Sequence, residues 1–298
     1  MQAAALHFVH IADSHVASGD TREADLGRLA DIVQRVGDLH ARGVPIDCLV
    51  HGGDLVHDAD APGALPATTV AALSVLDELP VPWFLLNGNH DRRAFLALDA
   101  IDAVGTRPAG RGQVPVMDDD GVAVRTIGSV QFLFVDADPA LSPDADRDER
   151  ERGTLDGTIT PRAIDAVARR IDAHVGRTSI FLHYPPLRQE ARWAGAPAGG
   201  ERLHAVLSSR VGKLHGVFVA HNHRSLHHLR DGVLYVTAPA SSRQFLLWPG
   251  QKAHALDDEP VLGLHYVTLE ADGATRVQQH AFVVPERGGR NHTDGTGT

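Results

Sequence analysis

Apolar positions in the first third of the chain recur in a repeating order: a short continuous run, a polar break, then a stretch with helical spacing. Residues 6–12 form the first run, which breaks at Asp13-Ser14-His15 ahead of Gly19, the pattern of a buried strand ending in a loop. Leu26, Leu29, Ile32, Val33, Val36 and Leu39 then share one face of a helix over residues 22–42, with Thr21 as its N-cap and Gly43 as its stop. The order repeats with a run at 46–50 that ends in Gly52-Gly53-Asp54 and a helix at 67–79. It repeats again with 81–86, Gly88-Asn89-His90-Asp91 and a helix at 93–104. Three strand-then-helix units in succession predict a parallel sheet covered on both faces.

Beyond residue 105 the texture changes. Runs at 122–127 and 130–135 around Gly128-Ser129 predict a hairpin, and the acidic, Pro- and Gly-containing stretch 138–158 predicts a surface loop. A helix at 161–174 leads to a strand at 179–182 and His183; a helix at 201–209 leads to a strand at 216–220 and His221-Asn222-His223. Late alternating runs at 226–229, 233–237, 264–269 and 275–283, with turns at Asp231-Gly232 and Asp272-Gly273, predict hairpins and from them a second, mostly antiparallel sheet. Residues 285–298 have no apolar periodicity and are read as a disordered tail, which leaves 1–284 as a single domain.

Chemistry gathers where the predicted strands end. Asp13 and His15, Asp54, Asn89 and His90, His183, and His221 and His223 fall at five such C-terminal ends, the side of an open α/β sheet where ligands bind. Taken singly, an Asp or His after a strand is a loop cap; five in order form a constellation. The donors are oxygen and nitrogen without sulfur, which suits Mn, Fe, Zn or Co. They outnumber the roughly three protein ligands of a single catalytic ion, so two ions are implied. Ions roughly 3.5–4 Å apart need a bridging anion, for which the Asp54 carboxylate is the candidate.

As a set, Asp13-x-His15, Gly53-Asp54, Gly88-Asn89-His90-Asp91, His183 and His221-x-His223 resemble the signature blocks of the calcineurin-like metallophosphoesterases, in the family order. The resemblance implies an α/β fold, a four-layer α/β/β/α sandwich of two mixed sheets packed face to face with the helices outside. It implies one ion held by Asp13, His15, Asp54 and His223, and the other by Asp54, Asn89, His183 and His221. It places His90 beside the scissile phosphate as a hydrogen-bond donor, with Asp91 orienting its ring. The reaction implied is in-line attack of a metal-bridging hydroxide on a phosphate ester.

Two positions depart from the family pattern. Ala220 stands where glycine is usual, and His57 and Asp58 follow the bridging carboxylate. A solvated loop is the plainer reading of His57 and Asp58, with His57 kept as a candidate for the substrate mouth. Arg188, with Arg192 and Trp193 in the insert after His183, is a second candidate substrate contact set against a plain surface loop. The segment from Thr237 to Phe245 and residues 264–269 resemble the branch containing class III cyclic nucleotide phosphodiesterases and glycerophosphodiesterases. That puts a small diester such as a 3′,5′-cyclic nucleotide first, a nucleotide or metabolite monoester second, and a metal-free scaffold as the alternative of another class.

Composition narrows the partners. Hydrophobic residues make up 43% and charged residues 22%, enough to bury a core. A net charge of -10 disfavours long nucleic acids and argues against a DNA-repair nuclease, which shares the opening His10-Ile11-Ala12-Asp13-Ser14-His15. Cys48, the one cysteine, excludes an internal disulfide. The N-terminus lacks a basic segment and no run approaches the ~18 apolar residues of a membrane span, so the expectation is a cytoplasmic protein with no membrane partner. A homodimer is left open. His7, His10, His40, His51, His174, His227 and His228 are read as surface or packing residues.

Overall fold

The structure, a computed structural model, describes residues 4–57, 65–91, 112–115, 117–137, 157–189, 191, 196–257 and 261–283. The expected helix at 93–104, the loop over 138–156, Asp58, Arg192, Trp193 and the tail lie outside them.

The first sheet runs in the order β12-β11-β1-β2-β3-β4, made of β1 (Leu6–Ile11), β2 (Cys48–His51), β3 (Trp83–Leu85), β4 (Gly112–Gln113), β11 (Val261–Leu269) and β12 (Thr275–Val283). β1 to β4 are parallel, and β11 closes the other edge of β1 antiparallel, with Phe8 opposite Val267. The second sheet runs β5-β6-β7-β8-β10-β9, from β5 (Val122–Ile127), β6 (Val130–Val135), β7 (Thr178–Phe181), β8 (Leu214–Val219), β9 (Leu226–Arg230) and β10 (Val233–Thr237).

Alternation along the strands builds three apolar layers. In β1, Leu6 and Phe8 face the second sheet, where they meet Phe132, Phe134, Phe181 and Phe218, while Val9 and Ile11 face the helices. Helices α1 (Arg22–Ala41) and α2 (Leu65–Leu76) cover that outer face through Leu29, Ile32, Val36, Leu73 and Leu76. On the far side, α3 (Pro161–Ala173) and α4 (Gly200–Ser208) cover the second sheet with Ile164, Val167, Ile171, Leu203 and Leu207. The result is the α/β/β/α sandwich, held at its centre by aromatic pairs such as Phe8 on Phe218, 5.1 Å apart and near perpendicular.

Two expectations are corrected. The late hairpins do not make a sheet of their own. β11 and β12 join the first sheet, where β1 otherwise has an open edge and where Val267 and Leu269 complete the central core. The second sheet is parallel at its centre, from β6 through β7 and β8 to β10, because α3 and α4 return the chain between β6, β7 and β8; only its edges β5 and β9 are antiparallel. Thr21 precedes α1 but makes no side-chain cap: its hydroxyl donates to Asp25 at 3.0 Å, and Asp25 also accepts the Ala17 N–H. The side-chain cap appears instead on α3, where Thr160 Oγ1 accepts the Ala163 N–H at 3.1 Å ahead of Pro161. Gly43 ends α1 with φ 83° as expected.

Candidate metal centre

In-register strands bring their C-terminal loops to one edge: Ile11 is opposite His51, His51 opposite Leu85, and in the second sheet Phe181 is opposite Phe218. At that edge a bridge between Ala12 and Ala240, with the Ser241 N–H donating to Ala12 O at 2.7 Å, ties the two sheets together. The loops after β1 and β2 run side by side. Asp13 N–H donates to Gly53 O (2.9 Å), His15 N–H to Asp54 O (3.0 Å) and His57 N–H to Val16 O (3.0 Å).

Backbone strain collects here. Asp13, His15, Asp54, His221 and His223 have φ between 44° and 71°, a left-handed region that non-glycine residues seldom adopt. The glycines of the motifs are there for close approach. A Cβ on Gly88 would lie 2.5 Å from the Asp54 backbone nitrogen, and Gly53, at φ 107°, would press one within 2.7 Å of His183 Nδ1. Ala220 is not among the positive-φ residues. Its methyl packs with Ala12 and Ala238, and Gly52 supplies the space, since a Cβ there would stand 3.0 Å from that of Ala220.

Three groups of side chains converge. His15, His57 and His90 have ligand-type atoms within 4.8 Å of one another, as do Asp13, His15 and His223, and likewise Asp54, His183 and His221. Asp54 lies between the last two: its Oδ2 is 3.5 Å from His15 Nε2 and 3.4 Å from His183 Nε2, while Oδ1 accepts the His90 N–H at 2.8 Å. Asn89 Oδ1 faces His183 Nε2 at 3.2 Å and His221 Nδ1 at 3.1 Å. Asp13 accepts the His221 N–H with both oxygens at 3.2 Å.

The hydrogen-bond partners of the rings show why these groups fit cations. His183 Nδ1–H donates to Gly52 O and His223 Nδ1–H to Arg243 O, each at 2.9 Å, so in the neutral rings Nε2 is a lone pair aimed at the centre. His223 Nε2 meets His15 Nε2 at 2.9 Å, and His183 Nε2 meets the oxygens of Asn89 and Asp54. Acceptors facing acceptors repel unless a proton or a cation lies among them. Without an ion, protons take that place. Burial lowers a histidine, yet Asp54 and Asp13 hold His183 up at about 9. Burial raises Asp13 to about 8, with the Asp54 charge adding to it against the opposing pull of His183. Burial would raise Asp54 as well, but His183, His90 and His15 hold it well below the usual carboxylate range. His221 and His223, pushed down to about 3 by burial, are neutral donors of electron pairs. This set of carboxylate, carbonyl and imidazole donors suits a pair of divalent ions.

The remaining sequence candidates divide. His57 is at the centre, its ring stacked on His90 with centroids 4.9 Å apart. Asp91, expected to orient His90, is fully buried and accepts the Val56 N–H (3.1 Å) on one oxygen and the Gly88 N–H (3.0 Å) on the other, tying the β2 and β3 loops together. Arg188 is exposed, and among the described residues no hydrogen bond or ion pair joins it to the cluster. His51 accepts the Gly53 N–H at Nδ1 and therefore donates from Nε2 to Ser14 Oγ at 2.9 Å, bracing the Asp54 loop. His10 packs between the sheets against Phe181 and Phe218. Sequence reasoning missed the carbonyls of Gly52 and Arg243, since a backbone acceptor leaves no mark in residue identity.

The calcineurin-like phosphoesterase profile matches residues 6–225, so the chain belongs to that family. That family is one of phosphoesterases, so the chemistry its description names is cleavage of a phosphate ester. No curated protein matches the sequence. Among solved structures the chain is similar to a dimetal phosphatase from Danio rerio, at 16% identity and TM-score 0.62 over 93% of this chain and 98% of that one. It is also similar to a purple acid phosphatase from yellow lupin (Lupinus luteus) seeds, at 14% identity and TM-score 0.57 over 94% and 52% of the two chains. GAP50 of Plasmodium, described as the anchor in the inner membrane complex, matches at 13% identity and TM-score 0.56 over 95% and 90%. At these identities the likeness shows the shared fold.

Proposed function

We propose that this chain hydrolyses a small phosphodiester at a dinuclear centre, with Asp13, His15, Asp54 and His223 holding one ion and Asp54, Asn89, His183 and His221 the other. The observation that carries the reading is the position of Asp54 Oδ2, near-equidistant from His15 and His183 at 3.5 and 3.4 Å. Two divalent ions bound there supply an activated water and neutralise charge on the phosphoryl oxygens. The chain does the rest. Its strained loops hold the ligands in place before binding, its buried carbonyls fix the histidine tautomers, and His90, half-buried at the rim, donates a hydrogen bond to a phosphoryl or leaving oxygen. Asp91 acts as a positioning residue for the loop that carries Asn89 and His90.

For the diester, support comes from the segment after β10, which resembles the cyclic nucleotide and glycerophosphodiester branch. That segment is bonded onto the centre: Ser242 Oγ donates to Asp13 O at 2.6 Å and Arg243 O accepts from His223. The phosphatases among the structural relatives favour a second reading, a monoester substrate. With Mn²⁺ loaded, bis(p-nitrophenyl) phosphate, p-nitrophenyl phosphate and cyclic AMP assayed in parallel separate the two. Diester turnover is expected, with Asn89→Ala and His90→Ala lowering kcat by ~100-fold or more. Cleavage of the monoester alone would transfer the assignment to the second reading.

A further inference from the structure

The backbone fixes His57 beside His15. His57 N–H donates to Val16 O, and Val16 N–H to Leu55 O, both at 3.0 Å, so the two loops cannot slide without breaking the pairing. In the side chains, His57 Nδ1 lies 3.4 Å from His15 Nδ1, with the rings 64° apart. The pattern at the other histidines gives this contact meaning. His183 and His223 each have Nδ1–H held by a backbone carbonyl, which leaves Nε2 free for an ion. His15 likewise turns Nε2 to the centre, towards His223 and Asp54, but the group facing its Nδ1 is another imidazole.

We infer that His57 is a positioning residue whose Nδ1 lone pair accepts the Nδ1–H of His15, holding His15 in the tautomer that offers Nε2 to the metal. This rests on the dinuclear reading above. In accepting at Nδ1, His57 carries its own proton on Nε2. The contact is long for a hydrogen bond, and ligation of His15 at Nε2 makes its Nδ1–H a stronger donor, which draws the pair together. The same His57 ring lies on His90, so one residue braces both a ligand and the rim histidine.

Three variants separate this role from others at the same place. His57→Asn keeps an acceptor oxygen near the position of Nδ1. His57→Phe keeps the ring on His90 without an acceptor, and His57→Ala removes both. Calorimetric titration of metal-depleted protein with Mn²⁺ is expected to show His57→Asn close to the unaltered chain. In His57→Phe and His57→Ala one of the two sites should weaken by ~10–100-fold, the usual effect of losing such a partner. Nitrogen-15 NMR of the zinc-loaded protein should show His15 protonated at Nδ1 in the unaltered chain and His57→Asn, with that signal lost to exchange or averaging in His57→Phe. Retention of affinity by His57→Phe together with its loss in His57→Asn would assign His57 to ring stacking and overturn the inference. Three ions per unaltered chain, falling to two in all three variants, would make His57 a ligand in the His15, His57 and His90 group and overturn it equally. An unaltered chain that takes up two ions, matched by every variant, overturns this inference alone; one that takes up none overturns the dinuclear reading with it.

Discussion

Asp13 and His183 both carry protons near neutral pH when no ion is bound, and this gives metal uptake a direction in pH. Asp13 is held up at about 8 and His183 at about 9, so each is protonated below its value, and a cation must displace both protons to ligate. Uptake near neutral pH should therefore release about two protons per ion pair. Apparent affinity should rise with pH and level off once His183 has lost its proton, above about 9. Calorimetry in buffers of different ionisation enthalpy measures the release directly. Uptake without proton release at neutral pH would mean that the buried pair is already deprotonated. The candidate ligands were legible in the sequence, because aspartate, asparagine and histidine after strands stand out from apolar runs. The groups that set their protons were not, because Gly52 and Arg243 act through backbone carbonyls.

At the scale of elements, most strands and helices were legible because each carries a period that burial imposes. The hairpin of β5 and β6 falls at its predicted bounds, and the strand ends that matter for ligation fall within a residue or two of theirs. What was not legible was pairing. Nothing local in residues 264–283 distinguishes a hairpin in the second sheet from one added to the edge of β1, and long-range packing of Val267 and Leu269 decides it. The glycines Gly53 and Gly88 were visible as motif letters, but their reason, two loops closing on Asp54 and His183, appears only in three dimensions. The central aromatic layer has a testable consequence. Phe181 is fully buried against Phe8, Phe132, Phe134 and Phe218. Phe181→Ala should destabilise the chain by about 3–5 kcal/mol in urea unfolding. A change below about 1 kcal/mol would mean that the two sheets are not packed through this layer.

The whole molecule draws the candidate ligand group of each ion from both sheets. Asp13 and His15 leave β1 in the first sheet and meet His223, which follows β8 in the second; Asp54 follows β2 and meets His183 and His221, which follow β7 and β8. Docking of the two sheets assembles the centre, and ions bound there would join the sheets that the Ala12 to Ala240 bridge already ties. Binding that requires the docked state stabilises it by mass action, so the thermal midpoint should rise with added Mn²⁺ and rise less with Asp54→Ala. The resemblance gave the sandwich from five short blocks; composition and periodicity by themselves gave a parallel sheet and a set of hairpins.

Low-temperature electron paramagnetic resonance of the chain titrated with Mn²⁺ addresses the bridging carboxylate itself. Two equivalents should bind and give the multiline spectrum of a spin-coupled pair, and Asp54→Ala should bind at most one, with the six-line spectrum of an isolated ion. Two uncoupled ions in the unaltered chain, or coupling that survives Asp54→Ala, would contradict the dinuclear centre described here.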